Sequence, residues 1–155
     1  MNGNIFWYTE DKNVITSFDL AEGVFRLTPG PNRVQRGYGS RVLYLFEFEG
    51  CLCLADSNSS CHIMDLWMLK HCNINNPTWV RMASVSLPSN NNSWMCPRSV
   101  RPGELLLARG RGDSRTLYMY SLLTRQFDTL EIVGLPSSNY SVIDYEKNFI
   151  SLNAL

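Results

Sequence analysis

Net charge is the first thing missing from this sequence: 14 lysines and arginines balance 14 aspartates and glutamates over 155 residues. A chain without a global field is a poor candidate for non-specific binding to nucleic acid, and any electrostatic argument must be local. A long apolar run is missing too. No stretch of about 18 apolar residues is present, and the first residues, MNGNIFWYTEDKN, carry neither a basic segment nor an apolar core of the kind that directs secretion. The expectation is a soluble, intracellular protein, cytoplasmic or nuclear. Cysteine is sparse and odd in number, at 5. Without a secretory signal this argues against a disulfide framework and for reduced thiols. The Asn-x-Ser sequences at Asn58, Asn91 and Asn139 then read as loop residues, not as glycosylation sites.

Catalytic material is equally scarce. There are 2 histidines, no Gly-x-Ser-x-Gly and no phosphate-binding glycine loop, so a nucleophile, a base and an orienting group are hard to assemble. The expectation is that the protein is not an enzyme. Cys51, Cys53, Cys61, His62, His71 and Cys72 fall within 22 residues and invite a zinc site. Their spacing opposes it: Cys-x-Cys lies inside an apolar run and the other four form adjacent pairs, whereas structural zinc sites favour Cys-x-x-Cys knuckles. These residues read as buried free thiols with no metal, and no cofactor is expected. Arg111-Gly112-Asp113 spells an adhesion tripeptide, but in an intracellular chain it reads as a hairpin turn.

What the sequence does have is recurrence. Turn dipeptides stand at Asn2-Gly3, Glu49-Gly50, Pro102-Gly103 and Lys147-Asn148, and the first three lead directly into NIFWYT, CLCLA and ELLLA. A second strand-like run follows each, at 14–20, 62–69 and 116–122, and then a third that opens on an aromatic residue, at Phe25, Trp79 and Phe127. Alternation and β-branched or aromatic content favour strands over helices throughout. Gly3 to Gly50 is 47 residues and Gly50 to Gly103 is 53. That period is near the roughly 50 residues of a kelch-type propeller blade.

The predicted architecture is therefore all-β: a partial kelch-like β-propeller of four-stranded antiparallel blades, two complete and flanked by two partial. Blade one covers 3–28, with strands at 5–9, 14–20 and 24–28 and its first strand missing. Blade two covers 41–82, with strands at 42–48, 51–55, 62–69 and 78–82. Blade three covers 98–132, with strands at 104–108, 116–122 and 127–132, and half a blade follows at 140–152. Connections fall at 28–40, where two prolines and three glycines crowd together, at 88–94 and at 135–139. A closed propeller has about four to eight blades. Two open sheet edges are expected here, to be covered by further sequence, a second copy or a partner.

The same residues resemble a known family, the F-box associated region of plant F-box proteins. The resemblance rests on Asn2-Gly3-Asn4-Ile5-Phe6-Trp7, Phe18-Asp19-Leu20 with Phe25 and Pro29, Gly50-Cys51-Leu52-Cys53-Leu54, Asp65-Leu66-Trp67-Met68 and Trp79-Val80-Arg81-Met82. The closing Tyr145-Glu146-Lys147-Asn148-Phe149-Ile150-Ser151-Leu152 is similar to that family's common ending, and the likeness covers essentially the whole chain. It implies the target-recognition part of a substrate receptor in ubiquitin ligases built from a Skp-type adaptor, a cullin and an F-box protein, acting in ubiquitin-dependent degradation. The family's helical F-box is not in this sequence, so adaptor binding carries over to no residue. The alternative is a truncated, F-box-less paralogue that binds targets or a full-length sibling without ligase activity.

Strand order in an up-down-up-down blade puts the loop between the second and third strands on the same end as the connections between blades. That end would collect Arg33, Arg36, Arg41, Arg98, Arg101, Arg109, Arg111, Arg115 and Lys12 against Glu10, Asp11, Asp56 and Asp113, which is eight of the 11 arginines. Arginine suits bidentate recognition of carboxylate or phosphate, and Tyr38 and Trp94 would add stacking surfaces. Arg33, Arg36, Tyr38, Trp94, Arg98, Arg109, Arg111 and Arg115 are the candidate contacts to an acidic or phosphorylated segment of a target protein. The competing explanation is that arginines populate loops because loops are wet. Trp94 either meets a partner or folds back over the blade. Trp7, Trp67 and Trp79 are expected to pack between blades.

Overall fold

The computed structural model describes residues 3–32, 41–58, 60–71, 77–88, 96–111 and 114–130. They form eleven β-strands: β1 Asn4–Thr9, β2 Val14–Asp19, β3 Val24–Pro29, β4 Arg41–Phe48, β5 Cys51–Asn58, β6 Ile63–His71, β7 Thr78–Ser86, β8 Cys96–Arg101, β9 Glu104–Arg111, β10 Ser114–Ser121 and β11 Phe127–Leu130. All pairings are antiparallel. The strands make a three-stranded first sheet, β1-β2-β3, a four-stranded middle sheet, β4-β5-β6-β7, and a four-stranded third sheet, β8-β9-β10-β11. Among the described residues no helix is long and apolar enough to cross a membrane.

The hairpins follow from their turn residues. Glu49 and Gly50 both take positive φ, 50° and 74°, the two-residue conformation whose twist matches the flanking strands. The register Phe48–Cys51 then sets the whole β4–β5 pair. At the end of the first sheet, the Gly30 N–H donates to the Asn13 carbonyl at 2.7 Å. A Cβ on Gly30 would lie 2.4 Å from the Asn13 side chain, so the chain can leave β3 this close to the β1–β2 turn only with glycine there. Asp19 fastens the other turn of this sheet by accepting from the Ala21 and Glu22 amides at 2.9 and 3.0 Å. Those amide bonds, the Glu22 bond first and the Ala21 bond second, hold its carboxyl below the usual range, and Arg26 adds to the effect.

Because strand side chains alternate, the middle sheet is apolar on both faces. Phe46, Phe48, Cys53, Ala55, Met64, Leu66 and Val85 point one way and bury against Leu105, Leu107 and Tyr120 of the third sheet. Leu52 and Leu69 point the other way and meet Ile15 of the first sheet, with Phe6, Tyr8, Leu45 and Trp79 packed around them. The Trp79 indole N–H donates to the Pro29 carbonyl at 2.9 Å and ties β7 to the end of β3.

Several boundaries differ from the sequence expectation. β5 runs on through Asp56, Ser57 and Asn58, which read as a turn, and all three are buried. Asn58 is thus a strand end, not a loop residue. β7 extends to Ser86, not Met82. β8 was not given its own strand by the pattern, because Pro97 interrupts the alternation; a proline is tolerated there because β8 is an edge strand of its sheet. The half blade expected at 140–152 lies outside the described residues.

Candidate functional site at the loop end of the sheets

Within each four-stranded sheet the second-to-third turn and the strand entry and exit lie at one end. In the middle sheet Arg41 is opposite Asn58, Asn58 opposite Ile63, and Ile63 opposite Ser86. In the third sheet Cys96 is opposite Ala108 near the end where Arg111 meets Ser114. The β4–β5 and β8–β9 turns come together at the opposite end, where the Gly103 N–H donates to the Glu49 carboxylate at 3.0 Å. The middle and third sheets therefore present their second-to-third turns in one direction. The first sheet joins them: Glu10 of its β1–β2 turn and Arg41 at the start of β4 line one cleft.

The candidate arginines separate on this frame. Arg109 and Arg111 close β9 and Arg115 opens β10, paired with Thr116, Ser114 and Gly110 respectively, so these three share one hairpin end. The expected loop over 109–115 is thus mostly strand. Arg98 is not in a connection; it sits inside β8 opposite Leu106. Arg101 is at the opposite end of the sheet, closing β8 beside the β8–β9 turn, where it is exposed and 3.9 Å from Glu104. Arg41 is at the expected end but is engaged: its guanidinium forks onto the Asp56 carboxylate at 3.2 and 2.9 Å. Arg33, Arg36, Tyr38 and Trp94 lie outside the described residues.

A polar row crosses the middle sheet just below this end, and the sequence reading missed it. Asp56 on β5 is directly opposite Asp65 on β6, and Asp65 is opposite Ser84 on β7. Both carboxylates are buried, at 3% and 4% exposure. Like charges face to face across a ladder repel. Here Arg41 forks onto one, while the other accepts from the Ser84 hydroxyl and lies 3.8 Å from Arg81. The signal was in the alternation: Leu52, Leu54, Asp56 and Asn58 share a parity, so extending β5 by three residues puts Asp56 on the inward face.

The thiols divide. Cys53 is fully buried, and desolvation, with lesser contributions from Cys51 and Glu49, pushes its pKa up to about 12. Its Sγ donates weakly to the Cys51 carbonyl at 3.7 Å. Cys51 is half-buried, but Cys61, expected to be buried, is exposed in the β5–β6 turn. That turn is polar and lies beyond the last buried ladder pair, so nothing draws the side chain inward. The tryptophans divide as well. Trp79 packs between sheets, whereas Trp7 is exposed at 46% on the face of the first sheet turned away from the middle one.

An open cleft of about 440 Å³ lies along the neighbouring edge strands β1 and β4, lined by Phe6, Trp7, Tyr8, Val42, Leu43 and Leu45 with Glu10 and Arg41 at its loop end. Among the described residues no group of three or more His, Cys, Asp or Glu side chains could hold a metal ion. No protein-family model matches the chain, and no curated protein matches it significantly.

Proposed function

We propose that the chain is a non-catalytic protein-recognition module: part of a kelch-like β-propeller whose successive blades are the three sheets, and the target-recognition part of a Skp-cullin-F-box ubiquitin-ligase receptor, cytoplasmic or nuclear. One observation carries the reading. The stacked antiparallel sheets set the β1–β2, β5–β6 and β9–β10 hairpin ends on a common side, and Arg109, Arg111 and Arg115 stand at the last of these. A sheet stack with its hairpin tips on one side is a scaffold for binding, because loops can change without disturbing the core. Arginine clusters recognise carboxylate and phosphate through paired hydrogen bonds. Arg33, Arg36, Tyr38 and Trp94, which precede β4 and β8 in the sequence and lie outside the described residues, are included in the proposed surface. Arg98, inside β8, would reach it only along the strand.

Peptide arrays of matched acidic, phosphorylated and neutral sequences test this directly. The wild-type chain should capture the acidic and phosphorylated members, and capture should fall as salt is raised. The variant carrying Arg109→Ser, Arg111→Ser and Arg115→Ser should lose capture with its near-ultraviolet circular dichroism unchanged. Capture that survives the triple substitution, or that ignores peptide charge, refutes the assignment.

A further inference from the structure

The outward face of the first sheet is built unlike any other solvent-facing surface among the described residues. Its three rows read Ile5–Phe18–Phe25, Trp7–Thr16–Leu27 and Thr9–Val14–Pro29. These nine positions hold seven apolar residues and two threonines, and none is ionisable. Burial alternates with the pleat, so the outward members of β1 are exposed while Phe6 and Tyr8 between them pack inward. Phe25 and Leu27 are 66% and 63% exposed. The Phe18 and Phe25 rings pack against each other with centroids 4.6 Å apart and planes tilted by 39°, at one end of the face. A one-sided antiparallel sheet ordinarily turns polar residues to water. An uncovered apolar patch of this kind marks an interaction site.

We propose that this face is a homodimer interface, occupied by the same face of a second copy of the chain. Its chemistry narrows the occupant first. With no charge on the face there is nothing for a charged partner to complement, so the mate must be apolar and flat. The distribution of exposed apolar side chains narrows it further. Among the described residues the exposed large hydrophobics are Ile5, Trp7, Leu20, Val24, Phe25 and Leu27 in the first sheet and its turns, together with Leu123 in the β10–β11 turn. On the outward face of the third sheet, by contrast, Leu106 and Leu117 are buried. Among the described residues a second copy therefore offers one matching surface, this same face, and a two-fold axis pairs it with itself.

The packing mode is already in use inside the chain, where the middle sheet is stacked face to face with a sheet on each side. A first-sheet to first-sheet dimer repeats that packing between copies. Size is adequate. The exposed apolar side chains offer on the order of 600 Å² per copy, so a symmetric pair buries on the order of 1,200 Å², the lower bound for a specific, stable interface.

Sedimentation velocity over a wide dilution series, on the 155-residue chain and on single variants Phe25→Glu and Leu27→Lys, decides the matter. The wild type should show a monomer–dimer equilibrium. Each variant should weaken association roughly thirtyfold or more, as loss of a central anchor does. Both side chains are exposed in the single copy, so far-ultraviolet circular dichroism should not change. A wild-type chain that stays monomeric throughout overturns the proposal and leaves the face to a sheet from elsewhere; a dimer that persists in both variants overturns it as well. The Arg109→Ser, Arg111→Ser, Arg115→Ser variant should dimerise as the wild type does, so this proposal and the peptide-capture reading fail separately.

Discussion

At the scale of single residues, the middle sheet shows how a buried group is tolerated. Asp56 is charged and buried, and it stays because Arg41 meets it with two hydrogen bonds; removing one partner of such a pair typically costs about 3–5 kcal/mol. Cys53 takes the other route and stays neutral. Its ordinary pKa of 9.0 is raised to about 12 by loss of solvent. Below pH 9 the thiol is protonated whether the chain is folded or not, so its burial costs nothing in charge. Between 9 and 12 the unfolded chain releases this proton while the folded chain keeps it, so stability is lost as pH rises through that window. Denaturant titrations across this range should give a steeper alkaline loss for the wild type than for Cys53→Ala. Tyr120, whose pKa is also raised by burial, is common to both proteins and cancels. Parallel losses would mean that the thiolate is not excluded from the core.

At the scale of elements, turns decide register and register decides which side chains reach the core. Gly50 gives the cleanest measurement, because a Cβ added there meets nothing within 4 Å while φ stands at +74°. Gly50→Ala should therefore lower stability by about 1–2 kcal/mol through backbone conformation alone. A loss near zero in equilibrium unfolding would mean that the turn relaxes to another type. This is also where the sequence was most readable. Gly3, Gly50 and Gly103 punctuate the chain, the apolar runs that follow them mark β1, β5 and β9, alternation marks β4, and an all-β antiparallel architecture follows from those signals. What escaped did so for identifiable reasons. Asp56-Ser57-Asn58 has the composition of a turn, and only its partners on β4 and β6 make it strand. Cys96–Arg101 hides behind Pro97. Trp7 has the look of a core residue, yet the pleat sends it outward while Phe6 and Tyr8 go in. The loop end was legible from strand order, but the engagement of Arg41 and the positions of Arg98 and Arg101 depended on strand limits that composition does not fix.

At the scale of the whole molecule, the two inter-sheet contacts are unequal, and the inequality has a dynamic consequence. Among the described residues, the buried apolar cluster between the middle and third sheets has ten members, whereas the one joining the first sheet to the middle one has three, Ile15, Leu52 and Leu69, with partly buried aromatics and the Trp79–Pro29 hydrogen bond around them. Each fully buried apolar side chain contributes about 1.5–3 kcal/mol, so the first sheet is the weaker attachment by a wide margin. It should open as a separate unit before the rest unfolds. Native-state hydrogen exchange at dilutions where the chain is monomeric should give amides of β2 a lower opening free energy than those of β5, β6 and β9. Trp79→Phe, which keeps an aromatic ring but removes the indole donor, should lower the β2 value by about 1 kcal/mol or more and leave β9 unchanged. Raising the protein concentration should then protect β2 selectively if the first sheet is also the dimer face, because association draws on the folded form of that sheet alone. A single opening free energy shared by all three sheets would instead mean that the thin core between the first and middle sheets is fully cooperative with the thick one.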